Sequence, residues 1–277
     1  MGFNRGEHNS HNNALWGYQM LKNKIKAIQL SALAIAVTGA MGATQAIAEV
    51  DVSASVAVSN LYLFRGIDLG EGRAMVSGDL IVSSKGFYGG VWATSGDKAA
   101  GSEYDLILGY ATEIEGVSID LNITNYNYSG WDAGDSFGDY SEIFLNVGYG
   151  PFSVDYQVNV ADGSYNSGDD TEAAKRAGLS GFQYVAFNAS FKKYTATLGF
   201  ADVTDYSESN VLTAANVGSV GTDYTHIDLS YAYNDNLTFT ASQIIDQDDI
   251  RLIGSETKYE NRDDDLLVVV SYTMPIE

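Results

Sequence analysis

Apolar and polar residues alternate one by one along most of the chain after residue 49. In 117–124, for example, Val, Ile, Leu and Ile alternate with Ser, Asp, Asn and Thr. Because the side chains of a β-strand point alternately to its two faces, this pattern predicts strands with one apolar and one polar face. Twelve such segments are predicted, near residues 50–59, 73–83, 87–94, 103–114, 117–128, 140–149, 152–161, 182–191, 194–203, 224–233, 237–245 and 265–274. Most have about the length that a tilted strand needs to cross a bilayer.

The connections between the predicted strands are alternately short and long. Tight turns at one end and long loops at the other are typical of outer-membrane barrels, and an even strand number places both ends of the barrel on the turn side. The predicted fold class is therefore all-β, a transmembrane antiparallel up-and-down β-barrel of about 12 strands. The short connections are Lys85-Gly86, Glu115-Gly116, Gly150-Pro151, Lys192-Lys193 and Asn234-Asp235-Asn236, and the long ones are 60–72, 95–102, 129–139, 162–181, 204–223 and 246–264.

Residues 1–48 are predicted to be a targeting segment that is removed from the barrel. Three lysines between residues 22 and 26 precede an apolar run from 27 to about 41, and Ala46-Ile47-Ala48 matches the A-x-A cleavage site of a secretory signal peptide. Cleavage there would leave 49–277 as a single outer-membrane barrel domain.

The translated chain is predicted to start at Met20. Residues 1–19 are polar, contain two His and several Asn, and do not resemble a leader. Initiation at Met20 would give a signal peptide of ordinary length, with the basic segment close to its start.

The composition excludes several classes of function. The chain has 15 basic and 36 acidic residues; four basic residues and one acidic residue fall in the predicted leader, which leaves 11 and 35. Such an acidic barrel has no basic surface for a phosphate backbone, so no nucleic-acid partner is predicted. The chain has no Cys, which excludes disulfides, thiolate metal sites and thiol catalysis.

Three segments near the start of the predicted barrel resemble the TorF-family porins. Residues 59–67 (SNLYLFRGI) are similar to the N-terminal signature of that family, 74–78 (AMVSG) to its second strand and 86–92 (GFYGGVW) to its third. The resemblance is specific over 50–95 and more diffuse, but collinear, beyond. It implies a Gram-negative outer-membrane protein, and a porin, that the barrel-assembly machinery inserts. The final segment, 272–277, lacks the terminal aromatic residue of such barrels, so less efficient recognition by that machinery is expected.

The alternation also assigns side chains to the two faces of the barrel. The apolar face is expected to contact lipid, with girdles of aromatic residues that include Tyr104, Tyr126, Tyr128 and Tyr231. The polar face is expected to line an aqueous lumen. The residues predicted to line this lumen and set its selectivity are Arg65, Asp79, Glu103, Asp105, Asp120, Glu142, Asp155, His226 and Asp228.

Arg65 differs from the rest of this set because it is a cation among carboxylates. Continuing the alternation of the first strand past Ser59 points Leu61, Leu63 and Arg65 inward. Two roles are open for Arg65. It could pair with acids at a constriction of the pore, or it could cap a strand end and anchor the first loop through backbone carbonyls.

Catalytic and metal-binding motifs do not fit the predicted barrel. Residues 134–138 match G-x-S-x-G, but they lie in a loop without the following helix that a nucleophile elbow requires. An outer-membrane phospholipase needs Ser and His on the lipid side, whereas alternation places His226 and Asp228 in the lumen. No enzyme activity, cofactor or ordered metal is therefore predicted. Acidic clusters that could ligate Ca²⁺, without the EF-hand spacing, lie at 169–172, 246–249 and 263–265.

The predicted function is a porin-like channel for passive diffusion of small solutes or ions, surrounded by outer-membrane lipid and lipopolysaccharide. The surplus of acids predicts that it is cation-selective. Two alternatives stay open. One is a non-transporting outer-membrane barrel whose acidic loops serve adhesion or bridge divalent cations to lipopolysaccharide. The other is a soluble periplasmic β-barrel that binds a ligand.

Overall fold

A computed structural model of the chain describes residues 50–97, 101–129, 140–162, 182–202, 223–247 and 263–276. Its elements are all β-strands, and no helix within these ranges is long and apolar enough to span a membrane. The strands are β1 (Asp51–Ser59), β2 (Leu63–Phe64), β3 (Ile67–Asp68), β4 (Met75–Ser84), β5 (Phe87–Asp97), β6 (Gly101–Ile114), β7 (Val117–Tyr128), β8 (Tyr140–Tyr149), β9 (Phe152–Asp162), β10 (Gln183–Phe191), β11 (Tyr194–Asp202), β12 (Tyr224–Ala232), β13 (Leu237–Gln247) and β14 (Leu267–Ile276).

Twelve of these strands form a closed antiparallel barrel. From β4 to β14 each strand pairs with the next along the chain, and β1 closes the ring by pairing with both β4 and β14. The short strands β2 and β3 form a separate hairpin. The predicted twelve-stranded up-and-down barrel is confirmed, and each predicted strand end lies within three residues of the observed one.

The tight turns have the backbone conformation that two-residue hairpins require. Lys85 and Gly86 have φ of 51° and 88°, and Glu115 and Gly116 have φ of 51° and 82°. Positive φ at both central residues is the mark of type I′ turns, whose twist matches that of the flanking strands. The short connections therefore lie at the positions that the sequence predicts.

The outward faces of the strands are apolar and exposed. Leu108 is 62% exposed and Leu229 is 55% exposed. The inward faces carry buried charged groups, since Glu103, Glu142 and His226 are all less than 4% exposed. This distribution is the inverse of the one expected for a soluble protein, in which charged residues are almost never fully buried unless paired. Exposed aromatic rings also flank the tight turns, at Phe87, Tyr149, Phe152, Phe191, Tyr194 and Tyr233.

The connection between β1 and β4 folds into the barrel instead of forming an outer loop. We refer to residues Leu63–Asp68, which comprise β2, a two-residue turn and β3, as the inner hairpin. Phe64 packs against a buried cluster that includes Tyr88 and Trp92, and Ile67 packs against a second buried cluster on other strands. The inner hairpin therefore joins two groups of inward-facing side chains.

The chain leaves the barrel wall soon after β1. Simple alternation past Ser59 would point Tyr62 outward, yet Tyr62 is only 6% exposed and packs in the same cluster as Trp92. The backbone N–H of Leu69 donates to the carbonyl of Tyr62 at 2.8 Å. Because the backbone beyond Asn60 pairs mainly within the segment itself, the period of the wall no longer determines which way its side chains point.

Candidate functional site

The tip of the inner hairpin is a type I′ turn formed by Arg65 and Gly66, with φ of 50° and 80°. Left-handed backbone is uncommon for a residue with a Cβ, so Arg65 occupies it at a cost. Gly66 lies against His226, and a Cβ added at Gly66 would lie 2.6 Å from the Cβ of that histidine. Only glycine allows the turn to approach the barrel wall this closely.

The side chain of Arg65 binds residues on two barrel strands. Its Nη1 donates to Oε1 of Glu142 at 3.2 Å, and its Nη2 donates to Oε2 of the same carboxylate. Its Nε donates to Oε1 of Gln157 at 2.6 Å. The side chains of Arg65 and Glu142 are 8% and 1% exposed. This is a buried, bidentate ion pair, the strongest geometry that a guanidinium and a carboxylate can form.

Aromatic rings surround the same guanidinium. Its central carbon lies 4.4 Å from the ring centroid of Phe64 and 4.7 Å from that of Phe182. The centroids of Tyr184 and Phe144 follow at 5.5 and 5.9 Å. All four distances are within the range of cation–π attraction. We call the set of groups around the guanidinium the Arg65 cage; it consists of Phe64, Glu142, Phe144, Gln157, Phe182 and Tyr184.

Two further tyrosines hold Glu142 in place. The Tyr126 hydroxyl donates to its Oε2 at 2.9 Å, and the Tyr140 hydroxyl donates to its Oε1 at 3.1 Å. Burial lowers the pKa of the Arg65 guanidinium, but the charge and hydrogen bonds of Glu142 together with Tyr126 and Tyr140 outweigh burial, and the net shift is upward. Arg65 is therefore charged at any physiological pH.

Two more carboxylates lie beside the cage. Glu103 accepts a hydrogen bond from the Tyr62 hydroxyl at 2.9 Å. Asp105 is 4% exposed, and its Oδ1 is the one buried side-chain polar atom without a hydrogen-bond partner within the described ranges. Of these three buried carboxylates, Glu142 forms the ion pair with Arg65. The other basic residues that the structure describes are exposed, namely Arg73, Lys85, Lys192 and Lys193.

The remaining acids predicted for the lumen form hydrogen bonds with other side chains. Asp79 accepts from the Ser55 hydroxyl, and Asp120 accepts from the Tyr88 hydroxyl at 2.6 Å. Asp155 accepts from the side-chain amides of Asn146 and Asn188, and Asp228 accepts from the Ser242 hydroxyl at 2.6 Å. The sequence prediction thus named acids that belong to several separate polar groups of the barrel and not to one cluster.

His226 is fully buried and has a partner at each ring nitrogen. Its Nδ1 lies 3.0 Å from Oδ1 of Asp228, and its Nε2 lies 2.8 Å from the Tyr184 hydroxyl. Tyr184 also lines the Arg65 cage, so the histidine is connected to the inner hairpin through this ring as well as through Gly66. The backbone carbonyl of Arg65 accepts a further hydrogen bond from Tyr224 at 2.9 Å.

Sequence reasoning missed several residues of the site and misplaced one of them. Tyr126 and Tyr128 were both expected in an outer girdle, but Tyr126 is 6% exposed and binds Glu142, and Tyr128 stacks on it on the same face at 6.5 Å. The alternation along β7 indicated the correct face, because even-numbered positions of this strand lie on the same face as Asp120, which was predicted to point inward. Gln157 lies on the same face of β9 as Asp155, but nothing in its local sequence indicates a role.

The acidic loop clusters are described only in part. The carboxylates of Asp263, Asp264 and Asp265 are exposed and lie within 4.8 Å of one another. The matches at 134–138 and 169–172 fall outside the described residues, as do positions 248 and 249 and the predicted leader, residues 1–48.

Comparison with solved structures finds distant similarities. The outer-membrane phospholipase (OMPLA) of Salmonella typhi, solved as a dimer with bound calcium, is 12% identical over 80% of this chain and 89% of its own, with a TM-score of 0.38. OccD3 (OpdP) of Pseudomonas aeruginosa is 11% identical over 82% and 65%, at a TM-score of 0.37. OccAB3 of Acinetobacter baumannii is 10% identical over 80% and 60%, at 0.35. With TM-scores below 0.5, no conclusion about this chain follows from these similarities.

Comparison at the level of sequence places the chain in a family. No curated protein matches it significantly. Residues 43–246, which contain the inner hairpin, the Arg65 cage and His226, match the model of a family described as "Bacterial protein of unknown function (Gcw_chp)". This match covers well over half of the sequence. The chain therefore belongs to the Gcw_chp family of bacterial proteins of unknown function.

Proposed function

We propose that this protein is a porin-like channel of the Gram-negative outer membrane that allows small solutes, preferentially cations, to diffuse passively. One observation carries the proposal: the barrel is closed, exposes apolar side chains outward and buries carboxylates inward. A membrane channel needs this arrangement, because its outer surface contacts lipid and its inner surface contacts water and ions.

The outer surface supports the location in a membrane. Monomeric soluble proteins rarely expose apolar patches larger than a few hundred Å². Here exposed Leu, Ile, Val and Phe side chains occur on all twelve barrel strands, which disfavours the soluble periplasmic alternative. The resemblance of residues 59–67 and 86–92 to the TorF-family porins supports the same location. Outer-membrane lipid, lipopolysaccharide and the barrel-assembly machinery are the partners that this location implies.

The charges of the barrel interior support the preference for cations. Carboxylates in a narrow, low-dielectric passage attract cations and repel anions. Arg65 is a buried cation among these carboxylates, but its charge is neutralised by the ion pair with Glu142. We propose that this pair is the constriction and that Asp79, Asp120, Asp155 and Asp228 act on the passing ions.

The proposal is tested by single-channel recording in a planar bilayer under a KCl gradient. The protein should be extracted from the outer membrane of an expression host, and its folding shown by heat-modifiable gel mobility. We expect discrete conductance steps and a reversal potential of the sign that K⁺ preference produces. A reversal potential of the opposite sign would refute the cation preference, and absence of steps from folded protein would refute the channel.

A second function is favoured by the inner hairpin, which occupies the barrel interior. A non-transporting barrel with acidic outer loops should have a filled lumen and conduct no ions. Recording the Arg65→Ala variant beside the wild type separates the two functions. A channel whose hairpin obstructs the passage should conduct more as the variant, whereas a non-transporting barrel should be silent in both forms.

The position of His226 supports the proposal that the protein is not an enzyme. The chain has three His, of which two lie in the first 11 residues. His226 is buried within the barrel between Asp228 and Tyr184, so it is not available as a base at the lipid surface. We further propose that residues 1–48 are removed on export, which N-terminal sequencing of the membrane-extracted protein would test by a start at Glu49.

A further inference from the structure

We propose that the Arg65 cage is a recognition site for guanidinium groups, and that Arg65 occupies it as a tethered ligand which an incoming solute with such a group displaces. The effect of displacement on ion flow rests on the proposed channel function. The binding of guanidinium to the cage does not, and it can be measured without any conductance.

The cage fits a flat, forked cation better than other cations. The Glu142 carboxylate receives two N–H groups side by side, and the amide oxygen of Gln157 receives a third. The faces of Phe64 and Phe182 lie within 5 Å of the central carbon. A guanidinium is planar, donates in a fixed fork and stacks on aromatic faces, whereas an ammonium is a compact point charge that does none of these as well.

The segment that carries Arg65 has few backbone hydrogen bonds of its own. The strands of the inner hairpin have two residues each and pair only with each other, as Leu63 with Asp68 and Phe64 with Ile67. An isolated two-stranded hairpin is marginally stable at best. Arg65 also has positive φ, which costs free energy in the bound form. A competing ligand for the cage therefore removes the ion pair from a segment whose other attachments are the packing of Phe64 and Ile67 and one hydrogen bond from Tyr224.

The cage stays electrostatically attractive when Arg65 leaves it. Glu142 would then be a buried carboxylate that has lost its ion-pair partner, and Oδ1 of Asp105 has no hydrogen-bond partner within the described residues even now. An unpaired buried charge is strongly unfavourable. A free guanidinium group removes that penalty by taking the place of the arginine side chain.

Chemical rescue of the Arg65→Ala variant tests the site. The purified variant is titrated with guanidinium chloride at millimolar concentrations, far below denaturing ones, and its thermal unfolding is followed by circular dichroism. We expect a saturable rise in the unfolding temperature with a midpoint between about 10⁻⁴ and 10⁻² M, the range open to so small a ligand. Urea at the same concentrations has the planar shape of guanidinium without its charge, and NaCl supplies the same ionic strength without that shape. Neither should raise the unfolding temperature.

Two variants control the rescue. Arg65→Ala combined with Glu142→Gln should lose it, because the carboxylate that receives the fork is gone. Arg73→Ala removes an exposed arginine from the same connection and should show no guanidinium response beyond that of the wild type. If the Arg65→Ala variant responds equally to guanidinium and NaCl, or if the double variant responds like the single one, the cage is not a guanidinium site.

The fallback for a variant that does not fold is Arg65→Asn. Asparagine is favoured in type I′ turns, so this change keeps the hairpin turn and removes only the side chain that fills the cage. The same titration, with the same expected and contradicting outcomes, applies to it.

Displacement in the otherwise wild-type protein is tested with a cysteine on the hairpin. The chain has no Cys, so Ile67→Cys provides a single thiol at a position that is half-buried against the barrel. L-Arginine should accelerate maleimide labelling of this thiol, and L-citrulline, its uncharged counterpart, should not. Equal labelling rates would overturn the displacement. If guanidinium rescues the variant but the protein does not conduct, the channel is refuted and the guanidinium site is not. If the protein conducts but guanidinium does not rescue the variant, the guanidinium site is refuted and the channel is not.

Discussion

At the scale of single residues, the position of the inner hairpin depends on the contacts of the Glu142 carboxylate. One carboxylate, 1% exposed, accepts hydrogen bonds from both terminal nitrogens of Arg65 and from two tyrosines. A buried ion pair of this kind adds little net stability, because taking both charges out of water costs free energy. Removing only one of the two partners nevertheless destabilises the protein strongly, because the other charge is then buried without a partner. The pair therefore specifies where the hairpin sits more than it stabilises the barrel.

We expect Glu142→Gln to lower the free energy of unfolding by about 3 kcal/mol or more, since it leaves the buried guanidinium without a counter-charge. Urea unfolding in detergent micelles, followed by far-UV circular dichroism, measures the change. Glu113→Gln is the matched control, because Glu113 is exposed near a tight turn of the same barrel and should change stability by no more than about 0.5 kcal/mol. Equal effects of the two variants would show that Arg65 does not depend on Glu142.

Alanine substitutions at Gly66 and Gly72 distinguish the cost of steric overlap from the cost of a left-handed backbone. Their φ angles are nearly equal, 80° and 76°, but a Cβ on Gly66 would collide with His226, whereas nothing lies within 4 Å of one on Gly72. We expect Gly72→Ala to cost about 1–2 kcal/mol from left-handed backbone alone, and Gly66→Ala to cost a further 1–3 kcal/mol or so from overpacking. Unfolding free energies measure both. A Gly66→Ala variant no less stable than Gly72→Ala would mean that the turn does not contact the histidine.

Residue-level contacts could be predicted only in part. The acids of the interior follow from alternation, because a strand has only two faces. Their partners do not: Arg65 and Glu142 are 77 positions apart, and which strand the guanidinium reaches depends on the direction in which the hairpin folds. Tyr126 shows a different failure, since its aromatic character indicated a girdle while its even position in β7 indicated the interior. Position, and not residue type, was the better guide.

At the scale of elements, the inner hairpin is the one part that the period-two pattern does not describe. Residues 60–72 were expected to form one of the long connections, with the alternation of the first strand continuing as far as Arg65. A local signal was nevertheless present: Arg65-Gly66 is the same kind of dipeptide as Lys85-Gly86 and Glu115-Gly116, and all three have positive φ at both positions. The dipeptide indicates a turn; only the packing around Ile67 and Phe64 shows that the turn lies within the barrel.

We expect the inner hairpin to open more readily than the barrel wall. Backbone groups in β2 and β3 pair with each other alone, whereas each barrel strand is paired on both sides. Hydrogen exchange of the detergent-solubilised protein, read by mass spectrometry, should show faster exchange in 63–68 than in β7 or β8. Glu142→Gln should accelerate exchange in the hairpin selectively. Equal protection of hairpin and wall would contradict the view that the hairpin is held more weakly than the barrel strands.

At the scale of the whole molecule, the fold follows from the sequence because the two faces of one sheet differ in polarity. Exposed apolar side chains on the outer face and buried polar ones on the inner face require alternation along the strands, and tight turns mark the strand ends on one side. The strands at 117–128 and 140–149 could therefore be predicted residue by residue. The same regularity gives no information about what fills the interior, since both an open and an obstructed barrel need polar inward faces.

We expect the ion preference to depend on acids outside the cage. Asp120→Asn combined with Asp155→Asn removes two negative charges from different strands while keeping acceptors for Tyr88, Asn146 and Asn188. The reversal potential in a KCl gradient should shift toward zero without changing sign, because other acids remain. Asp263→Asn with Asp264→Asn removes equal charge from an exposed loop and should shift it less. A larger shift from the loop pair would place the selectivity at the mouth.

The pairing of β1 with β14 has a consequence for how the protein is made. Until these two strands meet, the sheet is an open ribbon with an unsatisfied backbone along each edge, and such edges pair readily with any other strand. The contact joins positions as far apart as 54 and 276, so it carries a large loop-closure entropy and belongs late in assembly. A nascent copy is consequently most vulnerable to misassociation at the final step, when only the seam between its first and last strands is still unformed.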